Sequence, residues 1–552
     1  MINTLPRLWR TLRHLRVAQI YGRVLFQWTS PGVDERSAPR MRALCHLPWC
    51  QPVMRDPCML GPDTFVFLDK VGKLEEHGWD DLALDKLWRY NLHYFNDLTG
   101  KDADIRASWH HALLTRWVRE NPPANGTGWD PFPTSLRIVN WIKWTFAGNE
   151  LSAGQMHSLA VQARWLFGRL ERHLLGNHLL TNAKALIFAG VFFEGEEATQ
   201  WLAVGSRIVQ TEIEEQILSD GGQFERSTMY HALALEDVLD LCNLAARVRK
   251  LGLRDVEKVG VACAKRVGAM RHWLSVMSHP DGEIAFFNDA AFGIAPTPAM
   301  LDGYSERLGF APPAPLNFGL TNLAASGYVR IANADAVLLC DVAPVGPDYL
   351  PAHAHADTLS FELSLFGRRL IVNSGTSLYG TGSERLRQRG TAAHNTVVLD
   401  EQDSTEVWSG FRVGRRARPV NVLTGGASEA VVEASHDGYR FLPGSPSHRR
   451  RWTLNSDALT VTDTISGSFR RATARLHLHP DVECLGVLNG SDTVILGSRD
   501  GRQVRVRVKG GTLQVEAASW HPRFGACRQT MCIVVHFAGS TLLTRLEWGS
   551  SA

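Results

Sequence analysis

The segment Ala311-Pro312-Pro313-Ala314-Pro315 divides the chain into two regions that differ in the spacing of their apolar residues. Closely spaced prolines interrupt helices and sheets, so this segment is typical of a linker. After it, Leu359-Ser360-Phe361-Glu362-Leu363-Ser364-Leu365 alternates apolar and polar side chains. A period of two predicts a β-strand.

The same period of two recurs toward the end of the chain. The segment Val504-Arg505-Val506-Arg507-Val508-Lys509 alternates, and a turn at Gly510-Gly511 leads into another alternating stretch. Successive strands joined by short turns are typical of antiparallel sheets that pack face to face. We therefore predict a large antiparallel β-sandwich over residues 316–552.

Before the linker, apolar residues recur at spacings of three and four, which is the period of amphipathic helices. One such stripe consists of Met156, Leu159, Ala160, Leu166, Phe167 and Leu170. Gly/Pro/Asn-rich turns such as Asn121-Pro122-Pro123-Ala124-Asn125-Gly126 separate the stripes. This arrangement predicts repeated helical hairpins over residues 76–315 rather than an alternating βαβ chain. Residues 1–75 show no single regular spacing of apolar residues, and for them we predict a less regular arm with a helix and extended stretches.

The composition describes a globular protein of two or three domains, because 552 residues exceed what one core accommodates. Lys and Arg number 59 against 56 Asp and Glu, a net charge of +3 that argues against a nucleic-acid-binding protein. Nine cysteines without metal-ligand spacing do not predict a disulfide framework.

The N-terminal residues are basic and amphipathic but contain no continuous apolar run. We therefore expect no signal peptide and a cytoplasmic location, with the periplasm or cell envelope as the alternative. No stretch approaches eighteen apolar residues, so no transmembrane segment is expected. A solvated helix is the expected state of this segment, and contact with an anionic membrane surface is the alternative.

The richest polar segment contains His353-Ala354-His355-Ala356-Asp357, Asn373-Ser374-Gly375-Thr376 and His394-Asn395-Thr396-Val397. Two histidines at i and i+2 of a strand lie on the same face. Together with a third histidine and an amide, they predict a composite site for a proton or a metal. A structural histidine cluster is the alternative interpretation.

Three segments of the helical region also contain candidate catalytic or binding residues. The segment Gly176-Asn177-His178 places polar side chains next to an apolar helix, where a helix cap is the alternative reading. In Glu225-Arg226-Ser227-Thr228-Met229-Tyr230-His231, the residues Arg226 and Tyr230 are four apart. On a helix such residues share a face, and a guanidinium beside a phenol would favour phenolate. The third segment, Gly128 to Arg137, contains Trp129 in a rigid aromatic turn that could line a groove.

The order of these motifs, from Asn177-His178 through the Glu225–His231 segment to the three histidine segments, resembles the heparinase II/III family of polysaccharide lyases. The resemblance runs from roughly residue 80 to residue 470 and is strongest over residues 350–400. It implies an incomplete (α/α) toroid followed by a large antiparallel β-sandwich. This architecture agrees with the change of period at the linker.

The resemblance further implies β-elimination at a uronic acid of an acidic polysaccharide, in bacterial surface or exopolysaccharide metabolism. In that reaction Asn177 would hydrogen-bond the uronate carboxylate, and His178 would help to neutralise it or to abstract a proton. Tyr230 would be the acid, and in one version also the base, while His353 would complete the site from the β region. Glu225, Arg226 and Trp129 are candidate substrate contacts.

A structural zinc on the β side is also implied by the resemblance. His355 and His394 match the two histidine ligands, and Asn373 stands where an aspartate is common. An asparagine oxygen is neutral and binds zinc more weakly than a carboxylate, so a site with zinc and one without zinc both remain open.

Two other functions compete with the lyase. A non-catalytic carbohydrate-binding or assembly protein would keep the groove without needing Asn177, His178, Tyr230 and His353 together. A glycoside hydrolase on the same scaffold would need two carboxylates at a suitable separation, for which Glu225, Asp130 and Asp357 are candidates.

Overall fold

The fold changes from helices to antiparallel strands between Arg307 and Gly319. The computed structural model describes residues 4–43, 47–426, 429–488 and 492–548. Within these residues the order of a helical region followed by a sheet-rich region is the one predicted from the spacing of apolar residues, and that prediction is confirmed.

The described α-helices begin in the N-terminal arm and continue to the linker, with one more in the sheet region. In chain order they are α1 (Thr4–Leu12), α2 (Val17–Trp28), α3 (Leu74–His77), α4 (Lys86–Tyr94), α5 (Ala107–Glu120), α6 (Pro131–Phe146), α7 (Ala153–Gly168), α8 (Gly176–Phe192), α9 (Glu196–Gln216), α10 (Thr228–Val248), α11 (Arg254–Val276), α12 (Pro298–Arg307) and α13 (Ser383–Arg389).

The helices from α4 to α12 form two concentric layers. Helices α4, α6, α8, α10 and α12 contact one another in that order, and α5 with α7 and α9 with α11 form the outer layer. The inner helices α6, α8 and α10 are buried on nearly all sides. Such a double layer of antiparallel hairpins is the arrangement of an incomplete (α/α) toroid.

Helix α7 illustrates how the sequence sets these elements. Ser152 caps its N-terminus by accepting a hydrogen bond from the Gln155 amide at 3.3 Å. Leu159 and Leu166 of the predicted stripe are fully buried in the core of the toroid. The helix forms because its cap satisfies free amides and its apolar face is removed from water.

The described strands are short and pair only in the antiparallel sense within the named sheets. They are β1 (Thr64–Phe67), β2 (Lys70–Lys73), β3 (Gly319–Leu323), β4 (Tyr328–Ala332), β5 (Ala336–Asp341), β6 (Phe361–Leu365), β7 (Arg368–Ile371), β8 (Val397–Leu399), β9 (Val407–Trp408), β10 (Arg412–Val413), β11 (Pro419–Gly425), β12 (Ala430–His436), β13 (Ser447–Leu454), β14 (Ala458–Ser466), β15 (Ala472–His477), β16 (Val482–Val487), β17 (Thr493–Ser498), β18 (Gln503–Lys509), β19 (Thr512–Trp520), β20 (Arg528–Phe537) and β21 (Thr541–Glu547).

Three large sheets form the core of the described β region, and β9 pairs with β10 in a separate two-stranded sheet. The three large sheets have the strand orders β3-β4-β5-β6-β7, β11-β12-β13-β14-β21-β18-β17-β16 and β19-β20-β15-β8. Apolar residues from all three, such as Phe361, Trp452 and Ile533, meet in one buried cluster. The sheets therefore share a single core, as a sandwich does.

The five-stranded sheet also packs against the helices of the toroid. Trp273 of α11 shares a buried cluster with Tyr328 and Leu339 of this sheet. On β6, the polar residues Glu362 and Ser364 are fully buried, and His279 contacts both, at 2.8 and 2.7 Å. The polar face that alternates with Phe361 and Leu363 therefore packs against the helical region.

The N-terminal arm lies across both regions. Helix α1 contacts the β region through Glu406, and α2 contacts the toroid near His173. A hairpin of β1 and β2 then joins the core of the toroid through Phe65 and Phe67. Among the described residues, the structure contains no helix with the length and apolarity needed to cross a membrane.

Candidate active site

The candidate site lies where the toroid meets the sandwich. The toroid contributes the N-termini of α8 and α10. The β region contributes the loop between β5 and β6, which carries His353, and the segment that includes Tyr379 and α13. Side chains from distant parts of the sequence therefore converge at one junction.

Tyr230 is positioned by the N-terminus of α10. Ser227 caps this helix and accepts a hydrogen bond from the Tyr230 amide at 3.1 Å. The Ser227 hydroxyl in turn donates to the Asp289 carbonyl at 2.5 Å. The start of the helix is thus tied to the segment that carries Asp289.

Asn177 and His178 are positioned by an unusual entry into α8. Leu175 and Gly176 have positive φ values of 62° and 56°. A Cβ at Gly176 would lie 2.4 Å from Leu350 Cδ2 and 3.3 Å from Glu225 Oε1. Glycine is required at position 176 because the backbone is left-handed and the neighbours leave no space for a side chain.

Tyr230 and His353 form the centre of the site. Their rings stack with centroids 3.8 Å apart, and the Tyr230 hydroxyl lies 2.9 Å from the hydroxyl of Tyr379. Burial and the nearby Asp289 charge raise the pKa of Tyr230 well above its usual range, although Tyr379 and Arg385 act in the opposite direction. Tyr230 is therefore a protonated phenol at neutral pH.

A buried ion pair supports this centre. Asp289 and Arg385 are both fully buried and make two hydrogen bonds, the longer of which is 2.7 Å. Burial opposes the charge on Asp289, but Arg385, His353 and His355 outweigh it and hold the pKa of the carboxyl well below its usual range. Asp289 is thus a fixed negative charge beneath the histidines.

Asp289 also determines which nitrogen of His353 carries the proton. Its Oδ2 lies 3.0 Å from His353 Nδ1. An ionised carboxylate only accepts hydrogen bonds, so Nδ1 carries hydrogen in this contact. In the neutral ring, Nε2 is consequently unprotonated, and it lies 3.8 Å from Glu225 Oε2.

His178 forms a second charged centre in the site. Its Nδ1 lies 3.1 Å from Glu171 Oε1, and its ring lies 4.6 Å from that of Phe132. Burial lowers the pKa of His178, but the Glu171 and Glu225 carboxylates outweigh this effect and raise it overall. His178 is half-exposed, so a positive charge on its ring is available to an anionic ligand.

Glu225 lies beneath the site and not on its surface. It is only 3% exposed, and Gln223 Nε2 donates to its Oε1 at 3.2 Å. Burial raises its pKa, while His353, His178 and the Asn177 amide lower it. The prediction that Glu225 contacts substrate is therefore revised, because its carboxylate connects the other side chains to one another.

Arg226 does not lie beside Tyr230 as the helical spacing predicted. Helix α10 begins after it at Thr228, and Arg226 has a φ of 60°. Its buried guanidinium donates to the carbonyls of Ser326 at 2.9 Å and Phe224 at 3.1 Å. The cation near the Tyr230–Tyr379 pair is instead Arg385, which lies 5.0 Å from the Tyr379 ring.

Trp129 is a core residue, which contradicts its predicted contact with a sugar. It is 3% exposed and packs between Trp117 and Trp165 at centroid distances of 5.7 and 6.4 Å. The same aromatic segment does reach the site, but through Phe132 beside His178.

The three residues predicted to hold zinc lie together but are engaged with one another. His355 Nδ1 lies 3.2 Å from His394 Nε2, and His355 Nε2 lies 2.8 Å from Asp289. Burial lowers the pKa values of His355 to about 4 and of His394 to about 3, so both rings are neutral at pH 7. Neutral imidazoles are suited to metal binding or to a hydrogen-bonded chain.

Asn373 does not complete a metal site. Its Oδ1 accepts the Asn395 amide at 3.2 Å and lies 3.3 Å from His394 Nδ1, the nitrogen that faces away from His355. No group of three or more His, Cys, Asp or Glu suited to a metal occurs within the described ranges. A structural zinc requires four ligands, and this donor set does not fit one.

Four residues of the site were not predicted from the sequence, namely Glu171, Asp289, Tyr379 and Arg385. Asp289 lies in an irregular segment between α11 and α12, far from every motif. Tyr379 and Arg385 follow the Asn373-Ser374-Gly375-Thr376 motif closely, and this proximity was the available signal.

Two family models match most of the chain. "Heparinase II/III N-terminus" matches residues 87–306, and "Heparinase II/III-like, C-terminal" matches residues 316–549. The two matches meet at the linker, where the helices give way to strands.

Individual proteins show the same likeness. A heparin-sulfate lyase of Bacteroides stercoris is 30% identical over 334 residues, which are 55% of this chain and 45% of that lyase. The chain therefore spans about half the length of this curated relative. FtsZ-localized protein C of Caulobacter vibrioides is 24% identical over 459 residues, covering 76% of this chain and 74% of that protein.

Among solved structures, heparinase III has the same fold with a TM-score of 0.66. The sequence identity is 18%, and the superposition covers 86% of this chain and 78% of that one. The relationship thus extends across the toroid and the sandwich together.

Proposed function

Because the chain belongs to the heparinase II/III family, we propose that it is a polysaccharide lyase that cleaves a uronic-acid-containing polymer by β-elimination. The proposed binding region is the junction where the toroid meets the sandwich. We place the reaction in the metabolism of a bacterial surface polysaccharide.

The observation that carries this proposal is the convergence of Tyr230 from the toroid and His353 from the β region. Their stacked rings place a protonated phenol next to an imidazole that, in its neutral form, has a free Nε2 because Nδ1 donates to Asp289. An acid and a base side by side are what an elimination requires.

In the proposed reaction, His353 Nε2 removes the proton from carbon 5 of the uronate. The electron pair of that bond forms the double bond between carbons 4 and 5, and the bond from carbon 4 to the glycosidic oxygen breaks. Tyr230 donates its hydroxyl proton to the departing oxygen. Exchange with solvent then restores both protonation states.

The carbon 5 proton becomes acidic only when the uronate carboxylate is neutralised. The Glu171 carboxylate raises the pKa of His178 and so favours the charged form of its ring, and we assign the neutralising positive charge to that form. Asn177 is half-buried in the first turn of α8, where the helix dipole adds a positive potential. These two residues are assigned to the carboxylate and not to the proton transfers.

A hydrolase is less consistent with the site. Glu225 and Asp357 are each 3% exposed and accept backbone amides, those of Asn177 and Asn288 respectively. Neither carboxylate can flank a glycosidic bond from this position, and inverting or retaining hydrolysis requires two that do.

A second candidate is a non-catalytic assembly protein that binds polysaccharide at the same junction. It is favoured by the long match to a relative whose name states localisation with FtsZ and no reaction. This candidate predicts binding of a polymer without cleavage.

The test is ultraviolet absorbance during incubation with a panel of uronate polymers, using the wild type, Tyr230→Phe and His353→Ala. The lyase predicts a rising absorbance from the conjugated double bond that both variants lose. Reducing ends without this absorbance would establish a hydrolase, and polymer binding without cleavage would establish the assembly protein.

A further inference from the structure

The two N-terminal helices present apolar side chains to solvent. On α1, the exposed residues include Leu5, Trp9 and Leu12, with Trp9 exposed by 67%. On α2, a stripe at helical spacing is exposed and consists of Val17, Ile20, Tyr21, Val24 and Trp28. Trp28 is 85% exposed, so these side chains are not covered by the rest of the described chain.

Helix α1 is attached to the protein by its polar face. Arg7 donates to Glu406 at 3.1 Å, and Arg10 makes two hydrogen bonds to the same carboxylate at 2.7 and 2.8 Å. Thr11 Oγ1 accepts from Trp408 Nε1 at 3.1 Å. As a result, the apolar side of α1 faces solvent.

Helix α2 is held by a narrow line of residues opposite its apolar stripe. Gln19 is buried and donates to the Tyr349 carbonyl at 3.1 Å. Phe26 stacks against His173 with centroids 4.3 Å apart and lies under the Arg169 guanidinium at 3.6 Å. The contacts orient α2 so that its apolar stripe faces away from the toroid.

This orientation is the reverse of that found for a helix on the surface of a globular protein, which turns its apolar stripe toward the core. Leaving a contiguous apolar face in water is unfavourable and marks an interaction surface. The face is held in place by specific polar contacts on the other side of each helix, so its exposure follows from the fold.

The charge of the segment indicates the kind of partner. Residues 4–33 contain five arginines and no aspartate or glutamate. Arg7, Arg10 and Arg16 pair with Glu406 and Glu215, while Arg13 and Arg23 are exposed on the same two-helix segment.

From these observations we propose that α1 and α2 form a docking surface for an anionic lipid surface. The apolar stripe would enter the boundary between headgroups and acyl chains, while Arg13 and Arg23 would contact the headgroups. Trp9, Tyr21 and Trp28 are the amphipathic aromatic residues that concentrate at membrane interfaces. A second copy of the chain is a poorer occupant, because two faces of like positive charge would repel each other.

The test is cosedimentation of the full chain with vesicles of phosphatidylcholine alone or with about one third phosphatidylglycerol. We expect binding to the anionic vesicles that is at least about tenfold stronger than to the neutral ones, since each basic residue near such a surface contributes about 1 kcal/mol. Trp9→Ser with Trp28→Ser should reduce it by about tenfold or more. Arg13→Gln with Arg23→Gln should remove most of the preference for anionic lipid.

The matched control is Leu82→Ser with Phe318→Ser, which removes two side chains that are 84% and 74% exposed outside the arm. It should bind vesicles as the wild type does. The proposal is overturned if the wild type does not bind anionic vesicles, or if the control weakens binding as much as the tryptophan pair. It is also overturned if the tryptophan pair converts a dimer to a monomer in sedimentation velocity without changing vesicle binding.

Discussion

At the scale of residues, the proposed acid, Tyr230, and the proposed base, His353, are both positioned by buried neighbours. Asp289 fixes the proton of His353 on Nδ1, and burial keeps Tyr230 protonated. Glu171 and Glu225 raise the pKa of His178 and so favour its charged form. Each property follows from identified neighbours and is therefore open to a conservative substitution.

Tyr230→Phe removes only the hydroxyl that is assigned as the proton donor. We expect the rate of the first turnover to fall by about two to four orders of magnitude, the usual contribution of general acid catalysis. Polymer binding should remain, because Asn177 and His178 are intact. Tyr21→Phe on the exposed face of α2 is the control and should retain full activity. An unchanged rate in Tyr230→Phe would exclude this residue as the acid.

Glu171→Gln should change the pH dependence of activity. The pKa of His178 is raised overall by Glu171, so His178 loses its proton, and the site loses activity, as the pH rises through this raised pKa. Without the carboxylate, burial lowers the pKa, and the alkaline limb of kcat/KM should move to lower pH. The exposed Glu196→Gln should leave the profile unchanged. An unmoved limb in Glu171→Gln would show that His178 does not act as a cation.

Metal removal should have no effect on the proposed lyase activity. His355 and His394 offer two ring nitrogens to one another, and the Asn373 oxygen is already used by the Asn395 amide. We expect dialysis against a chelator to leave both activity and Tm unchanged. One zinc per chain by elemental analysis, with a fall in Tm after its removal, would contradict the geometry described above.

The sequence identified the residues whose neighbours along the chain are themselves unusual, such as Asn177-His178 and the pair of histidines at 353 and 355. It missed Asp289, because its partners are 64 to 96 residues away and its own neighbours along the chain form no recognised motif. Arg226 was misassigned because its helical spacing to Tyr230 assumed a helix that in fact begins two residues later. Trp129 was misassigned because burial of a tryptophan cannot be distinguished from exposure by residue type alone.

At the scale of elements, the site depends on how α8 and α10 begin. Ser227 sets the start of α10, and the left-handed Leu175 and Gly176 set the start of α8. These entries fix the directions of Tyr230, Asn177 and His178. The periodicity of the sequence located the helices, but the positive φ at Leu175 left no mark in the residue pattern.

Gly176→Ala should disturb the site although it changes none of the proposed catalytic side chains. The new Cβ would meet Leu350 at 2.4 Å and the backbone would retain a left-handed conformation that costs about 1–2 kcal/mol. We expect a lower Tm and a loss of activity, because Leu350 and Glu225 must move. Gly154→Ala in the first turn of α7 meets nothing within 4 Å and should be neutral or slightly stabilising. Equal behaviour of the two variants would argue against a constrained entry into α8.

At the scale of the whole molecule, the site exists only because the toroid and the sandwich are held together. Trp273 of the toroid and Tyr328 of the five-stranded sheet share a buried cluster, and His279 joins the buried Glu362 of β6. The change in apolar spacing at the linker predicted the two regions. The contact between the two regions was not predictable from the sequence. The polar residues of β6 alternate with apolar ones, which is the pattern of a strand with one face in solvent, but in the structure this polar face is buried against the helices.

The most direct test of the central claim is mass analysis of the cleavage products formed from a uronate polymer in water enriched in heavy oxygen. Elimination breaks the bond to carbon 4 without adding water, so the new non-reducing ends should be unsaturated and carry no heavy oxygen at cleavage. Products that are heavier by one water, with the heavy isotope incorporated, would contradict the lyase and establish hydrolysis.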